Sequence, residues 1–498
     1  MSENGQTHPG ARGTDLFVRS PLDSRACHRA LVSRDARFDG VFFVGVSTTG
    51  IYCRPVCPAR TPRADRCTFY AHAAEAERAG FRACFRCRPE LAPGMSSVDA
   101  RPRLVSSALD AIERGALADG NVETLAARLG VTSRHLRRTL EAELGVTPIE
   151  IETTRRLGLA KQLLTDTTLP LAQVAFGAGF GSVRRFNATF LDRFARKPSE
   201  MRRAVDRPSE DGPDLRLRLD YRGPLDWRAL LSFVAPRAIA GVERAVDGGY
   251  ERAIAIGADS GWIRVAPLTG RDALGLRLSM SLAPHAAKIG RAVRDLFDLD
   301  ARPDRVAAAL RTDRTLAPLV KKRPGLRVPG AIDPFEAAIR AVLAQQVTLA
   351  AATTLTSRVA ERFGRSIAPG IEGLDRVFPD AATLAELSPE RLAAIGMPLA
   401  RGRALSALCR AIASGHVDLS GTTAPREVVA RLVALPGIGP FTAEVIAMRA
   451  MRDADAFPIG DLVLARRLGK DALARADRWR PFRAYAAMHL WTDEGAER

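Results

Sequence analysis

The chain has 498 residues and a formal net charge of +18, from 74 Lys and Arg against 56 Asp and Glu. Its hydrophobic fraction of 46% excludes general disorder, and the length predicts about three or four domains. The charge favours a polyanionic partner. Nucleic acid is favoured over a membrane because no run of about eighteen apolar residues exists and the N-terminus lacks a signal-peptide core. We therefore expect a cytoplasmic protein without membrane association.

Four cysteines have the spacing of a metal site. Cys53 and Cys57 form a Cys-x3-Cys pair, and Cys84 and Cys87 form a Cys-x2-Cys pair after a gap of 26 residues. Two short-spaced pairs joined by a loop can close on a tetrahedral Zn²⁺ without strain. We predict one zinc ion in a small α/β domain over residues 14–90. Such closed sites are usually structural, so a purely structural zinc stays open as an alternative.

The apolar run at 41–44 predicts a buried strand that leads to the first cysteine pair. The remaining cysteines, Cys27, Cys67 and Cys409, show no pairing pattern, which fits a reducing compartment better than a disulfide scaffold.

Residues 103–204 follow a linker rich in Pro, Ser and Gly and show a helical pattern that occurs twice. Each copy has an apolar-faced helix, a turn at Gly130 or Gly179, and a second helix that begins near Ser133 or Ser182. We predict an all-α region with two helix-turn-helix units whose second helices enter the DNA major groove. Two surface hairpins with solvated charges are the alternative. The predicted DNA contacts are Arg134, His135, Arg137, Arg138, Ser182, Arg184, Arg185 and Asn187.

A second linker ends near Asp214, and leucines then alternate with charged residues at 215–219 and again at 274–282. This alternation predicts a small antiparallel-sheet module over residues 214–285. Residues 286–498 are predicted to form an all-α domain, so the fold class of the whole chain is multidomain α+β.

The stretch LPGIGPFTAEVIAMRAM at 435–451 carries a hairpin motif between two helices. Gly437 and Gly439 allow a tight turn whose backbone N–H groups can bind a DNA phosphate without reading sequence. A glycine-rich connection without a ligand is the alternative. Asp461 then precedes a basic helix whose N-terminus would keep the carboxylate ionised.

The helical region resembles the AraC family of transcription regulators, whose DNA-binding part is a tandem pair of helix-turn-helix units. Its second unit, which ends in Phe190, Phe194 and the Pro-Ser-Glu at 198–200, carries the likeness. With TTGIYCRPVC at 48–57 and GFRACFRC at 80–87, the resemblance extends to the Ada-type adaptive-response family over about residues 20–200.

The Ada-type resemblance implies that Cys53 irreversibly accepts a methyl group from methylphosphotriesters in DNA. The zinc ion would then be both structural and nucleophile-activating. Thr49, Arg60 and Arg82 match positions that face the DNA backbone in that family.

Residues 214–495 resemble the AlkA-type 3-methyladenine DNA glycosylases of the helix-hairpin-helix superfamily. Besides the hairpin, the matching stretches are RPGLRVPGAIDPFEAAIRAVLAQQV at 323–347, AIGMP at 394–398 and WRPFRAYAAMHLW at 479–491. The resemblance implies that Asp461 is the catalytic carboxylate and that aromatic walls stack on the flipped base. Those walls are Phe233, Phe441 and Trp491.

Phe441 stands where bifunctional relatives carry a lysine, so monofunctional hydrolytic release of alkylated purines is expected. No iron–sulfur cluster is expected, because Cys409 is the one cysteine after Cys87. In the AlkA-type family an apolar side chain at the position of Gln346 enters the emptied base stack, so Gln346 is a predicted DNA contact, and Val445 replaces a pocket aromatic of that family. Three other carboxylates, Glu444, Asp453 and Asp455, are predicted to be solvated surface charges.

Together these patterns predict a fusion protein for DNA alkylation repair and adaptive-response transcription regulation. The expected partner is double-stranded DNA, both damaged and promoter, with RNA polymerase as a further candidate and a monomer as the expected state. The alternative is a methylation-activated regulator with an inactive glycosylase scaffold. The promoter sequence and the range of excised bases do not follow from the sequence.

Overall fold

The computed structural model describes residues 22–96, 99, 102–117, 121–203, 214–469 and 471–494. Residues 14–21 of the predicted zinc domain, residue 204 and residues 495–498 lie outside the described ranges, as does the N-terminus in which no signal peptide is expected. The predicted domain bounds stay predictions.

The cysteine-containing part forms a mixed sheet with the strand order β3-β1-β2-β4. β1 is antiparallel to β2 and β3, whereas β2 and β4 are parallel. The predicted strand starts at residue 43 rather than 41, because the N–H of Val41 closes a turn on the carbonyl of Phe38. The elements are α1 (Ser24–Val32), β1 (Phe43–Val46), β2 (Ile51–Cys53), β3 (Cys67–Tyr70), α2 (Ala73–Arg78) and β4 (Arg82–Ala83).

The next part is helical, and both predicted helix-turn-helix units are present. The turn glycines adopt positive φ angles of 69° at Gly130 and 86° at Gly179, which suit glycine. Thr132 and Ser182 cap the second helix of each unit by accepting a backbone N–H. The elements are α3 (Arg103–Glu113), α4 (Val122–Arg128), α5 (Ser133–Leu144), α6 (Pro148–Asp166), α7 (Leu171–Gly177), α8 (Val183–Phe194) and α9 (Pro198–Arg203).

The predicted antiparallel module is also present, with the strand order β5-β9-β8-β7-β6 among the described residues. Alternating leucines face each other across β5 and β9, as Leu217 and Leu276 do, and both are buried. The module also contains a helix that the alternation pattern did not predict. Its elements are β5 (Asp214–Asp220), α10 (Trp227–Val234), β6 (Glu243–Val246), β7 (Gly249–Ile256), β8 (Asp259–Pro267) and β9 (Ala273–Ser279).

The C-terminal part is helical apart from a short antiparallel pair, β10 (Arg365–Ser366) and β11 (Arg376–Val377). The all-α prediction missed this pair because two-residue strands leave no alternation in the sequence. The helices before it are α11 (Ala286–Leu296), α12 (Pro303–Leu310), α13 (Leu316–Lys322), α14 (Pro334–Leu343) and α15 (Leu349–Phe363). Those after it are α16 (Ala381–Ala385), α17 (Pro389–Ala393), α18 (Leu399–Ala413), α19 (Pro425–Val433), α20 (Pro440–Ala450), α21 (Leu462–Leu468), α22 (Ala472–Asp477) and α23 (Arg483–Glu494).

One apolar cluster runs across the three N-terminal parts. It joins Tyr52 of the cysteine-containing sheet, Phe190 of α8, and Leu217 and Leu276 of the antiparallel module. Buried arginines add polar ties, since the Arg222 guanidinium donates to the carbonyls of Asp39 and Gly94 at 2.8 and 2.9 Å. The parts therefore share a core. No described helix is long and apolar enough to cross a bilayer.

Candidate functional site

The four predicted metal ligands converge on one point. Cys53 ends β2, Cys57 follows after a turn, and Cys84 and Cys87 follow β4, which pairs with β2. Their sulfur atoms all lie within 4.8 Å of one another, and all four residues are buried. Zinc–sulfur bonds of about 2.3 Å place tetrahedral thiolates about 3.8 Å apart, so this cluster fits a single Zn²⁺.

Backbone N–H groups point at two of the sulfurs. The N–H of Arg54 donates to Sγ of Cys87 at 3.3 Å, and the N–H of Arg86 donates to Sγ of Cys84 at 3.4 Å. Hydrogen bonds of this kind favour the charged thiolate over the thiol. The donor set thus suits a thiolate metal centre.

The predicted DNA-backbone residues of this part are all exposed. Thr49 lies in the turn between β1 and β2, and the N–H of Arg82 donates to the carbonyl of the adjacent Gly50 at 2.9 Å. Arg60 follows the first cysteine pair. The structure therefore brings Thr49 and Arg82 to one edge of the sheet, and their contact with DNA stays a prediction.

The second helices of the two helix-turn-helix units, α5 and α8, have buried residues at the same positions. In α5, Leu136 and Leu140 are buried, and in α8 their counterparts are Phe186 and Phe190. The predicted contact residues all lie on the exposed side of these helices: Arg134, His135, Arg137, Arg138, Ser182, Arg184, Arg185 and Asn187. Two of them are engaged within the protein, because Arg137 forms an ion pair with Glu123 at 3.0 Å and Ser182 caps α8 by accepting the N–H of Arg185 at 3.2 Å.

The hairpin connects α19 to α20 and is exposed at Gly437 and Gly439, while Ile438 between them is buried as an anchor. Gly437 has a φ of +77°, and a Cβ there would lie 2.8 Å from Cβ of Ala404. The glycine is therefore required by both backbone and space. Contact of this turn with a phosphate stays a prediction.

Asp461 caps the N-terminus of α21, as the sequence predicts. Its Oδ1 accepts the N–H of Leu464 at 2.9 Å and the indole N–H of Trp491 at 3.0 Å. Trp491 on α23 was predicted as a stacking wall; in the structure its indole also orients the predicted catalytic carboxylate. Both side chains are half-buried, so the carboxylate stays open to solvent on one side.

The two other predicted base-stacking residues, Phe441 and Phe233, lie near opposite ends of one face of α20. Phe441, Val445 and Arg449 are spaced by four residues on α20 and are all half-buried. The Arg449 guanidinium lies 4.7 Å from the Phe233 ring centroid, and that of Arg237 lies 3.8 Å away. The Phe233 ring is thus already in contact with two guanidinium groups of the protein. Its stacking on a flipped base stays a prediction.

Burial and neighbouring cations act on the two guanidiniums beside Phe233. Burial, then proximity to Arg237, lowers the pKa of Arg449 to about 9, and burial, then Arg340, lowers that of Arg237 to about 10. Neither arginine was singled out from the sequence. The spacing of Arg449 from Phe441 along the helix was the available signal.

Comparison with known proteins assigns four families along the chain. Residues 26–90 match the metal binding domain of Ada, and residues 125–204 match a helix-turn-helix domain. Residues 216–333 match the AlkA N-terminal domain, and residues 339–482 match the HhH-GPD superfamily of base excision DNA repair proteins.

A full-length relative decides the family. The probable bifunctional transcriptional activator/DNA repair enzyme AlkA of Mycobacterium tuberculosis is 40% identical over 484 residues, which cover 94% of this chain and 96% of the relative. This chain belongs to that family. It is a fusion of an Ada-type regulator with an AlkA-type glycosylase, which confirms the predicted resemblances and the multidomain fold class.

Each half of the fusion also has separate relatives. The AlkA-type part is 36% identical over 281 residues to DNA-3-methyladenine glycosylase 2 of Escherichia coli, covering 56% of this chain and 97% of that protein. The Ada-type part is 38% identical over 120 residues to the bifunctional transcriptional activator/DNA repair enzyme Ada of Escherichia coli, covering 24% of this chain and 32% of that protein.

The prediction for the three rival carboxylates of the AlkA-type part is wrong. Glu444 is buried, pairs with Arg426 at 2.5 Å, and accepts the N–H of Phe457 at 2.9 Å. Asp453 also pairs with Arg426, and Asp455 pairs with Arg483. These carboxylates stabilise the fold around α20 because each is neutralised by an arginine that is distant in sequence.

The remaining cysteines are not placed for chemistry. Cys27 and Cys409 are buried, and burial raises the pKa of each thiol to about 12, which keeps them protonated. Cys67 is partly exposed and lies on β3, where it donates to the carbonyl of Arg63 at 3.3 Å.

Proposed function

We propose that this chain repairs alkylated DNA in two ways and activates transcription once one of the repairs has occurred. The observation that supports this most is the presence, in one chain, of a buried four-thiolate cluster, two helix-turn-helix units, and a carboxylate that caps α21 and accepts the indole N–H of Trp491. Double-stranded DNA is the substrate of both repairs and the target of the regulator.

In the first repair, the sulfur of Cys53 attacks the methyl carbon of a methylphosphotriester. The new S–C bond forms as the C–O bond breaks, and the electron pair returns to the phosphate, which leaves an ordinary anionic diester. Zinc bound by the four cysteines would keep the sulfur deprotonated and nucleophilic. No described group can remove a methyl from the thioether, so each chain reacts once.

The same transfer acts as a switch. Four thiolates and one Zn²⁺ carry a net charge of about −2, which repels a phosphate backbone, and conversion of one thiolate to a thioether removes one negative charge. Affinity for DNA therefore rises after the reaction, and the adjacent recognition helices convert this change into promoter binding.

In the second repair, the hairpin binds a backbone phosphate and the damaged nucleotide leaves the stack. The C1′–N bond breaks, and its electron pair leaves with the alkylated base. Asp461 stabilises the developing positive charge at the sugar while water bonds to C1′ and gives up a proton to the surrounding solvent. Phe441 has no amine with which to form a Schiff base, so the strand is not cut.

An excision assay tests the glycosylase. The full chain should release 3-methyladenine from duplex DNA, and Asp461→Asn should slow release by about a hundredfold or more, the size of effect seen when one charge-stabilising group is lost. Asparagine also caps helices well, so this variant keeps α21 intact. Absence of release by the wild type would favour a regulator with an inactive glycosylase scaffold.

Mass spectrometry tests the methyl transfer. After exposure to DNA that carries methylphosphotriesters, one methyl group should appear on the peptide that contains Cys53. Cys67 is a control within the same chain, because its thiol is the more exposed one but lacks the metal cluster. A methyl group on Cys67, or none on Cys53, would leave the zinc site purely structural.

A further inference from the structure

The turn between α14 and α15, residues 344–348, contains one residue with a strained backbone. We call this segment the wedge turn. Gln346, which stands at the predicted wedge position, is exposed and has a φ of +52°. Positive φ is unfavourable for a residue with a side chain and persists where the surroundings enforce it. Something must therefore hold this turn.

The preceding residue makes the contacts that hold it. The side-chain Nε2 of Gln345 donates to the carbonyl of Gly437 at 2.9 Å and to Oγ1 of Thr442 at 3.0 Å. The backbone carbonyl of Gln345 accepts Nη2 of Arg401 on α18 at 2.6 Å. One residue thus ties the wedge turn to the hairpin and to the first turn of α20.

The hairpin cannot shift to follow a loose wedge turn. Gly437 packs against Ala404 so closely that a Cβ would clash, and Ile438 is anchored in the core. The hairpin and the first turn of α20 therefore serve as a fixed reference, and the two hydrogen bonds transmit their position to the backbone that aims Gln346.

We propose that Gln345 is a positioning residue that fastens the wedge turn to the hairpin. Phosphate binding by the hairpin and entry of Gln346 into the base stack then occur in one fixed geometry. This inference rests on the proposed excision function, but it concerns the opening of the stack and not the breaking of the glycosidic bond.

The experiment measures unstacking directly, with the full chain. The probe is a duplex with a tetrahydrofuran abasic analogue beside 2-aminopurine, whose emission rises when it unstacks. Gln345→Met keeps the length of the side chain and removes both donors. We expect duplex binding to stay within about twofold and the unstacking equilibrium to fall about tenfold, as for two lost neutral hydrogen bonds. Thr442→Val, which removes one acceptor, should cost about threefold.

A double-mutant cycle separates positioning from general stability. If Gln345 acts through Gln346, then Gln345→Met should have no further effect on unstacking in the Gln346→Ala background. An equal loss in both backgrounds, or wild-type unstacking by Gln345→Met, would overturn the proposal. A wild-type chain that leaves the emission unchanged would also overturn it. A chain that unstacks the probe but releases no base would refute the excision function alone.

Discussion

At the residue scale, we predict that Trp491 acts through its indole N–H as well as through its ring. Its indole N–H donates to Asp461, and hydrogen bonds to a carboxylate are stronger than neutral ones. Trp491→Phe keeps an aromatic wall and removes that donor, so base release should slow by about tenfold or more while duplex binding holds. Single-turnover release measures this. Trp227→Phe is the matched control, because its indole donates to the carbonyl of Gly248 instead; an equal slowing there would contradict the assignment.

Asp298 should make stability depend on pH in the unusual direction. Burial, set against Arg327 and the Tyr485 hydroxyl, raises the pKa of this carboxyl from its usual value to about 6. The folded chain then binds more protons than the unfolded chain between about pH 4 and pH 6, so the contribution of Asp298 to the free energy of unfolding falls as pH rises through that window.

Asp298→Asn should remove that fall, and chemical unfolding at a series of pH values measures it. Asparagine tolerates the positive φ of +51° at this position. Burial lowers the pKa of His489 to about 4, which gives stability a pH dependence of opposite sign. Both proteins share this contribution, so their difference isolates that of Asp298. Identical pH profiles for both proteins would refute the prediction.

At the element scale, the two helix-turn-helix units have the same arrangement of helices but differ in one ion pair. The Glu123–Arg137 pair links α4 to α5, whereas Ala172 and Asn187 occupy the corresponding places in the second unit. Glu123→Gln frees Arg137 for a phosphate. Because an exposed pair is worth about 1 kcal/mol or less, affinity for duplex DNA should rise about two- to fivefold, more at low salt.

Fluorescence anisotropy at two salt concentrations checks this outcome. Glu141→Gln on α5 changes the net charge equally and is the matched control, since Glu141 is also exposed. A rise of the same size with Glu141→Gln would show that overall charge, and not the release of Arg137, sets the affinity.

At the scale of the whole molecule, buried arginines join the Ada-type and AlkA-type halves. The Arg54 guanidinium, next to Cys53 in sequence, donates to Asp220 on β5 at 2.8 Å, to Asp39 at 2.8 Å and to the carbonyl of Cys87 at 3.2 Å. Removal of one partner of a buried pair leaves the other charge uncompensated. The segment that carries Cys53 is therefore tied directly to β5 of the AlkA-type part.

Asp220→Asn should lower the free energy of unfolding by about 3 kcal/mol. Calorimetry should then resolve the cysteine-containing part from the glycosylase part, which in the wild type should unfold together. Asp259→Asn is the control, because Asp259 is half exposed and pairs with His285 at the surface. A single transition unchanged by Asp220→Asn would mean that the apolar core alone joins the halves.

Short-range sequence patterns determined the metal cluster, the turns and a helix cap of this protein. The short spacing of Cys53, Cys57, Cys84 and Cys87 indicated their convergence, and Gly130 and Gly179 marked both turns, because turn geometry and metal chelation depend on neighbours along the chain. The cap position of Asp461 followed from the residues around it for the same reason.

Contacts between residues far apart in sequence were decided by the tertiary structure alone. The arginines beside Phe233, the neutralisation of Glu444 by Arg426 and the tie from Gln345 to Gly437 each join separate elements. A single sequence carries no periodicity for such pairs, because their energy comes from burial and from partners that meet only when the helices pack. Sequence thus indicated candidate side chains for the chemistry, and packing decided which neighbours orient them and neutralise their charges.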